Sequence, residues 1–138
     1  MIKLIVGNKG SGKTKALINM VNSAVANSKG NVVCIEKGLK LTYDLDHKAR
    51  LIDSDHYSIA NFDSLYGFIS GILAGNYDIT DLFVDSTLKI GGKNLLELAE
   101  IIAKLAPLAE ENNVSVLFTL SCAKEEIPEN LKQYMIEY

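Results

Sequence analysis

Short apolar runs alternate along the chain with longer segments in which apolar residues recur every three or four positions. The short runs are rich in β-branched residues and end at turn residues, as buried strands do. They cover residues 2–6, 31–36, 79–85 and 114–121, with a weaker run at 49–53. Strands that alternate with helices are typical of a three-layer α/β/α fold, so we predict a mainly parallel sheet of about 4-5 strands with helices on both faces.

The longer segments predict four helices. The first begins at Lys13 and ends at Lys29-Gly30, and the second runs from Asn61 or Asp63 to Ala74. The third covers residues 94–111, where Pro107 is expected to kink or end the regular part. A final helix is predicted from Pro128 to about Ile136. Residues 39–48 are expected to form a loop or short helix, and Gly91-Gly92 to mark a turn or mobile loop.

Composition predicts one domain, residues 1–138, with no linker and no internal repeat. The net charge is −3 and only one of the fourteen basic residues is an arginine. Because nucleic-acid binding usually needs clustered basic residues, nucleic acid is not expected as a partner. Cys34 and Cys122 lack the spacing of a zinc site, so they are expected to be buried apolar residues in a reducing compartment.

The apolar pattern also bears on location. No apolar run approaches the roughly 18 residues of a membrane span, so no membrane insertion is expected. A cleaved signal peptide would remove the glycine-rich segment that begins at Gly7. The expected location is cytoplasmic.

The strongest chemical signal is the stretch GNKGSGKT, which follows the first strand and precedes the first helix. It matches G-x-x-x-x-G-K-[ST] at every fixed position, where backbone N–H groups and the helix N-terminus attract a phosphate. Lys13 is expected to reach the β- and γ-phosphates, and the Thr14 hydroxyl to coordinate Mg²⁺. The predicted nucleotide-binding residues are Gly7, Asn8, Lys9, Gly10, Ser11, Gly12, Lys13, Thr14 and Lys15.

This stretch resembles the Walker A motif of the P-loop NTPases, and the resemblance implies their fold, with ATP and Mg as ligands. Leu82-Phe83-Val84-Asp85 resembles a Walker B strand, which makes Asp85 the second metal-side residue. Asp53, after a shorter run, is the alternative. Many P-loop ATPases carry Glu directly after the Walker B Asp, whereas this chain has Ser86. That departure counts against the helicase, transporter and thymidine-kinase patterns.

Further roles follow from the resemblance. RecA-like ATPases, the most similar group, place a catalytic Glu at the end of a neighbouring strand. The resemblance therefore implies Glu36 as the activating carboxylate, and Lys13 is the other predicted catalytic residue. The alternative is a solvated acid at the start of a loop. Thr119 or Ser121 is the expected sensor of the γ-phosphate if the last strand flanks the first, and otherwise lies where that strand enters a turn.

A cation that stabilises the transferring phosphoryl group is harder to identify. Arg50 is the only arginine available as an arginine finger. Lys89 and Lys93 flank Gly91-Gly92 and are the alternative, acting on the nucleotide of a neighbouring subunit. The alternative for all three is a solvated surface charge, which is the usual role of such residues.

Three functions are consistent with these residues. The first is Mg-dependent ATP hydrolysis coupled to a protein partner or to self-assembly, slow in a single chain and faster in a homo-oligomer. The second is a non-catalytic ATP-sensing module, which Ser86 and the lack of an evident finger favour. The third is a small kinase, although one arginine is little with which to build a kinase lid. GTP is disfavoured because no Asn-Lys-x-Asp motif follows the last strands.

Overall fold

The computed structural model describes all 138 residues, and its centre is one five-stranded sheet. All strand pairs are parallel and the order is β1-β5-β4-β2-β3. The strands are β1 Ile2–Gly7, β2 Asn31–Glu36, β3 Arg50–Asp53, β4 Ile79–Val84 and β5 Ser115–Ser121. The helices are α1 Lys13–Asn27, α2 Phe62–Gly75, α3 Thr87–Gly91 and α4 Leu95–Asn112. Short 3-10 turns cover Ser54–Tyr57, Lys124–Glu126 and Glu129–Tyr134.

Two separate cores lie on the two faces of the sheet. Alternate strand residues such as Leu4 and Phe118 pack with α2, α3 and α4 into the larger core. Their neighbours Ile5 and Leu117 pack with α1 and the segment 39–49 into the smaller one. Because side chains of a strand point to opposite faces in turn, every strand contributes to both layers. The predicted three-layer α/β/α architecture is confirmed.

Local sequence signals account for most helix boundaries. Asn61 caps α2 through its side chain and forms a capping box with Ser64, as the polar start of the predicted helix indicated. Asn94 accepts hydrogen bonds from the first N–H groups of α4, and Asn113 ends that helix in a left-handed conformation. None of the helices has the combination of length and apolar character that crossing a membrane requires.

The structure bears on three local predictions, of which the final helix was wrong. Pro107 does not end α4, which continues to Asn112, because Leu105 and Ala109 hold the helix to the core while the proline ring faces solvent. Residues 128–136 form 3-10 turns rather than an α-helix, and Met135 then pairs with Leu4 along the open edge of β1. The turn expected at Gly91-Gly92 lies at Gly92, which has a φ of 111°, whereas Gly91 is the last residue of the short helix α3.

The parallel sheet brings the carboxyl ends of its strands to one edge. Gly7 lies beside Ser121 in the β1–β5 ladder, and Val84 lies beside Phe118 in the β4–β5 ladder. Ile35, one residue before Glu36, lies beside Val84. Ligands of open α/β sheets bind at this edge. It therefore positions the residues that the sequence singled out.

Candidate functional site

The loop between β1 and α1 has a shape that depends on glycine. Gly10 and Gly12 adopt φ values of 85° and 92°, which side-chain-bearing residues rarely adopt. The Ser11 N–H donates to the carbonyl oxygen of Asn8 at 3.1 Å, which closes the loop. No side chain caps the N-terminus of α1. The first N–H groups of this helix are therefore available to an anion.

Lys13 is buried within this loop. The residue is only 6% exposed. Its Nζ donates hydrogen bonds to the Asn8 carbonyl oxygen at 3.0 Å and to Ser11 Oγ at 3.3 Å. No carboxylate lies within 4.0 Å of this ammonium group. Because a buried ammonium group is costly without a counter-charge, this arrangement favours an anionic ligand.

Asp85 directly follows β4 and is 5% exposed. Thr119 Oγ1 donates to its Oδ1 at 2.7 Å, and the same hydroxyl oxygen accepts a hydrogen bond from the Ser86 N–H at 2.9 Å. Ser86 has a φ of 53°, which turns the chain from β4 into α3. Thr119 thus fixes both the carboxylate and the turn that follows it. Its strand β5 lies directly between β1 and β4.

One polar cavity of about 380 Å³ joins the loop to these strand ends. No hydrophobic residue contributes to it. Its lining consists of Lys9, Gly10, Gly12, Lys13, Thr14, Lys15, Asp85, Ser86, Lys89, Thr119 and Ser121. Four lysines suit a ligand with several negative charges. Gly7, Asn8 and Ser11 do not line the cavity, and the last two instead accept the hydrogen bonds of Lys13.

The cavity also has the oxygen donors of a magnesium site. Thr14 and Asp85 both line it, and a hydroxyl and a carboxylate are ligands that Mg²⁺ accepts, with water and phosphate oxygens completing its shell. The chain has no cluster of three or more Asp, Glu, His or Cys side chains that would bind a metal ion unaided. A metal ion here would thus depend on a bound anion.

A second cavity of about 600 Å³ adjoins the first and shares Thr14, Asp85, Ser86 and Lys89 with it. Glu36 lies in this second cavity. A third cavity of about 540 Å³ lies near Lys3 and Met20 and contains none of the predicted site residues.

Glu36 is a buried acid rather than a solvated one, with 3% of the residue exposed. Its two carboxylate oxygens accept the N–H groups of Lys40 and Leu41, each at 3.2 Å. Burial raises the pKa of Glu36 above its ordinary value, and the negative charge of Asp85 raises the pKa further, although the two N–H groups oppose the change. A carboxylate with a raised pKa is better suited to accept a proton near neutral pH.

The alternative residues lie elsewhere. The Asp53 carboxylate accepts the N–H groups of Gly38 and Asp55, and it lines a separate cavity of about 250 Å³. Arg50 begins β3 opposite Val33, three residues before Glu36, so it lies outside the site of its own chain. Lys93 lines neither of the two adjoining cavities.

Two contacts at the site were not predicted. The sequence left Lys89 open between a neighbour's nucleotide and a solvated surface charge. In the structure it lines the cavities of its own chain, because α3 begins two residues after Asp85. The Tyr138 hydroxyl lies 2.9 Å from Ser11 Oγ and donates to the Val6 carbonyl oxygen at 3.2 Å. No sequence pattern indicates that Tyr138 contacts the loop.

Comparison with known proteins finds no family model that matches the chain and no matching curated sequence. Function is therefore inferred from the residues gathered at this edge of the sheet.

Proposed function

We propose that the protein is an Mg-dependent ATPase of the P-loop kind. One observation carries the proposal: a single cavity without hydrophobic lining contains both the buried, unpaired Lys13 and the acid Asp85. Phosphate and divalent cation are the ligands that this pairing of charges suits. ATP is preferred to GTP because the sequence lacks a guanine-reading motif.

Each group at the loop has a role in binding. The N–H groups at the start of α1 and the Lys13 ammonium group would hold the β- and γ-phosphates. Thr14 and Asp85 would hold Mg²⁺, which neutralises charge on the phosphate oxygens. Thr119 keeps the Asp85 carboxylate in place through its 2.7 Å hydrogen bond.

Glu36 is the proposed general base. It accepts a proton from a water molecule while the water oxygen bonds to the γ-phosphorus. The bond from that phosphorus to the bridging oxygen breaks, and ADP and phosphate are the products. The proton then passes to the phosphate. The raised pKa of Glu36 supports this role.

A second candidate function is a non-catalytic ATP-sensing module. The observation that favours it is that both carboxylate oxygens of Glu36 already accept backbone N–H groups and so stabilise the segment after β2. Hydrolysis measurements on a Glu36 variant separate the two candidates.

Location and coupling are also part of the proposal. Cys34 and Cys122 are both buried and free, as is typical of a reducing compartment such as the cytoplasm. Because Arg50 lies outside the site of its own chain, we include a protein partner or a second copy of the chain as the regulator of turnover.

The test measures ATP binding with and without Mg²⁺ to the wild type and to Lys13→Ala. We expect Lys13→Ala to weaken binding at least tenfold, or about 1.4 kcal/mol. Lys29→Ala, which removes an exposed lysine beyond the far end of α1, should bind as the wild type does. Equal binding by Lys13→Ala and the wild type would refute the proposal.

Single-turnover hydrolysis by Glu36→Gln then tests the catalytic step. We expect this variant to bind ATP and to hydrolyse it at least 10²-fold more slowly, because general-base catalysis typically contributes about that much. An undiminished rate would remove Glu36 as the base. Wild-type binding without hydrolysis would favour the sensing module.

A further inference from the structure

Helix α3 places one lysine between the two adjoining cavities. The polar cavity beside the loop is lined by four lysines, and the second cavity, which contains Glu36, is lined by three. Lys89 is the only cation common to both. The other shared residues are the two metal-side groups, Thr14 and Asp85, together with Ser86. Lys89 therefore lies where the γ-phosphate would face the Glu36 carboxylate.

The backbone that carries Lys89 is held firmly. Thr87 is fully buried and Ile90 is 2% exposed, so the inner side of α3 belongs to the core. A Cβ added at Gly91 would lie 2.3 Å from the Phe62 ring, which shows how closely α3 approaches α2. The packing of α3 thus fixes the backbone of Lys89, whose exposed side chain lines both cavities.

The charge of Lys89 is also free to act on a ligand. No carboxylate lies within 4.0 Å of its Nζ, although it shares its cavities with Asp85. In contrast, the Lys37 ammonium lies 2.7 Å from Asp55, and Lys13 is bonded to its own loop. Lys89 requires no broken ion pair to contact phosphate.

We propose that Lys89 is a further catalytic residue, whose ammonium group contacts the γ-phosphoryl group during transfer within the same chain. This inference rests on the proposed ATP hydrolysis. As the bond to the bridging oxygen breaks, negative charge shifts onto the oxygens of both phosphates, and a nearby cation stabilises it. Lys89 keeps its protons throughout, since the proton from water goes to Glu36. The chemical step then needs no cation from a second copy, and a partner would regulate the protein by other means.

The test compares Lys89→Ala with Lys93→Ala, which removes a lysine four residues along the chain that lines neither cavity. We expect Lys89→Ala to lower kcat about 10²-fold or more while the Kd of ADP changes less than threefold. ADP with aluminium fluoride mimics the transferring group, and it should bind the wild type more tightly than ADP alone does. In Lys89→Ala this difference in affinity should be lost. Lys89→Arg should recover part of the rate, and Lys93→Ala should match the wild type.

Mixing two inactive variants distinguishes the same chain from a neighbour. If Lys89 acted on a second copy, Lys89→Ala mixed with Lys13→Ala would regain activity, and that result would overturn the inference. If Lys89→Ala hydrolysed ATP at the wild-type rate, the inference about Lys89 would also be overturned. The proposed function would then stand, because the wild type would still hydrolyse ATP. Failure of the wild type to hydrolyse ATP would instead overturn the proposed function and this inference with it.

Discussion

At the scale of single residues, the hydroxyl of Thr119 holds the turn that follows β4. It accepts the N–H of Ser86 and donates to Asp85, and so stabilises a left-handed residue that would otherwise cost about 1 kcal/mol. The chain must turn at Ser86 to bring α3 back to the sheet edge. Glu36, from the adjacent strand β2, contributes a second carboxylate to the lining of the adjoining cavity.

The raised pKa of Glu36 predicts how stability depends on pH. Below the ordinary value of 4.5, the carboxyl group is protonated in both the folded and the unfolded chain. Above it, the unfolded chain loses the proton while the folded chain keeps it, until the pH passes the raised pKa of the folded state. The contribution of Glu36 to the free energy of unfolding must therefore fall as the pH rises through this window.

Urea unfolding without Mg²⁺ checks this prediction when wild type and Glu36→Gln are compared across that window. The difference in free energy of unfolding, wild type minus variant, should decrease as the pH rises. Glu125→Gln changes an exposed carboxyl group that has no ion pair and should leave the pH dependence as in the wild type. A difference that grows with pH would show that the folded state favours the charged form.

At the scale of elements, α3 depends on a glycine. In Gly91→Ala the added methyl group would lie 2.3 Å from ring carbons of Phe62, a residue that is itself only 2% exposed. Overpacking of this kind typically costs about 1–3 kcal/mol. Urea unfolding should show that loss, and hydrolysis should slow because α3 carries Lys89.

Gly71→Ala in α2 is the matched control. Apart from the backbone of α2 itself, no atom lies within 4 Å of a Cβ at Gly71, which is exposed. Since alanine is favoured over glycine within a helix by up to about 1 kcal/mol, this variant should be as stable as the wild type or more stable. Equal stability of Gly91→Ala and Gly71→Ala would contradict the close packing of α3.

Most elements could be predicted because their signals are local. The predicted strands and the three long helices agree with the observed bounds to within a few residues, as the run 31–36 does with β2. Residues 128–136 were predicted wrongly, and Pro107 was left open between a kink and a helix end, because distant partners decide both. The core holds α4 across the proline, and the open edge of β1 draws Met135 into an extended conformation.

The candidate site could also be predicted only where its residues have a local sequence signal. Asp85 and Thr119 could be singled out because Asp85 follows one apolar strand and Thr119 lies two residues before the end of another, and parallel strands end at one edge. That Lys89 lines the two adjoining cavities of its own chain could not be predicted from the sequence. Its position depends on the left-handed turn at Ser86 and on the packing of Gly91 against Phe62, which no short pattern encodes.

At the scale of the whole molecule, the first and last segments of the chain meet on one side of the sheet. The Ile136 N–H donates to the Leu4 carbonyl oxygen at 2.9 Å, and Met135 pairs with the same residue. An exposed strand edge otherwise presents unpaired N–H and C=O groups. Residues 135–138 therefore cover the edge of β1, the strand that leads into the loop before α1.

Tyr138→Phe tests whether this covering segment stabilises the loop. The variant loses the hydrogen bonds of one hydroxyl to Ser11 Oγ and to the Val6 carbonyl oxygen. Because Tyr138 is 45% exposed, water replaces part of the interaction, and we expect a loss of about 0.5–1 kcal/mol in the free energy of unfolding. Tyr43→Phe, at a residue that is 98% exposed, should unfold as the wild type does. If urea titrations gave the same midpoint for Tyr138→Phe and Tyr43→Phe, residues 135–138 would cover the strand without stabilising the loop between β1 and α1. A loss of stability in Tyr138→Phe alone would show that Tyr138 stabilises this loop from the far end of the described chain.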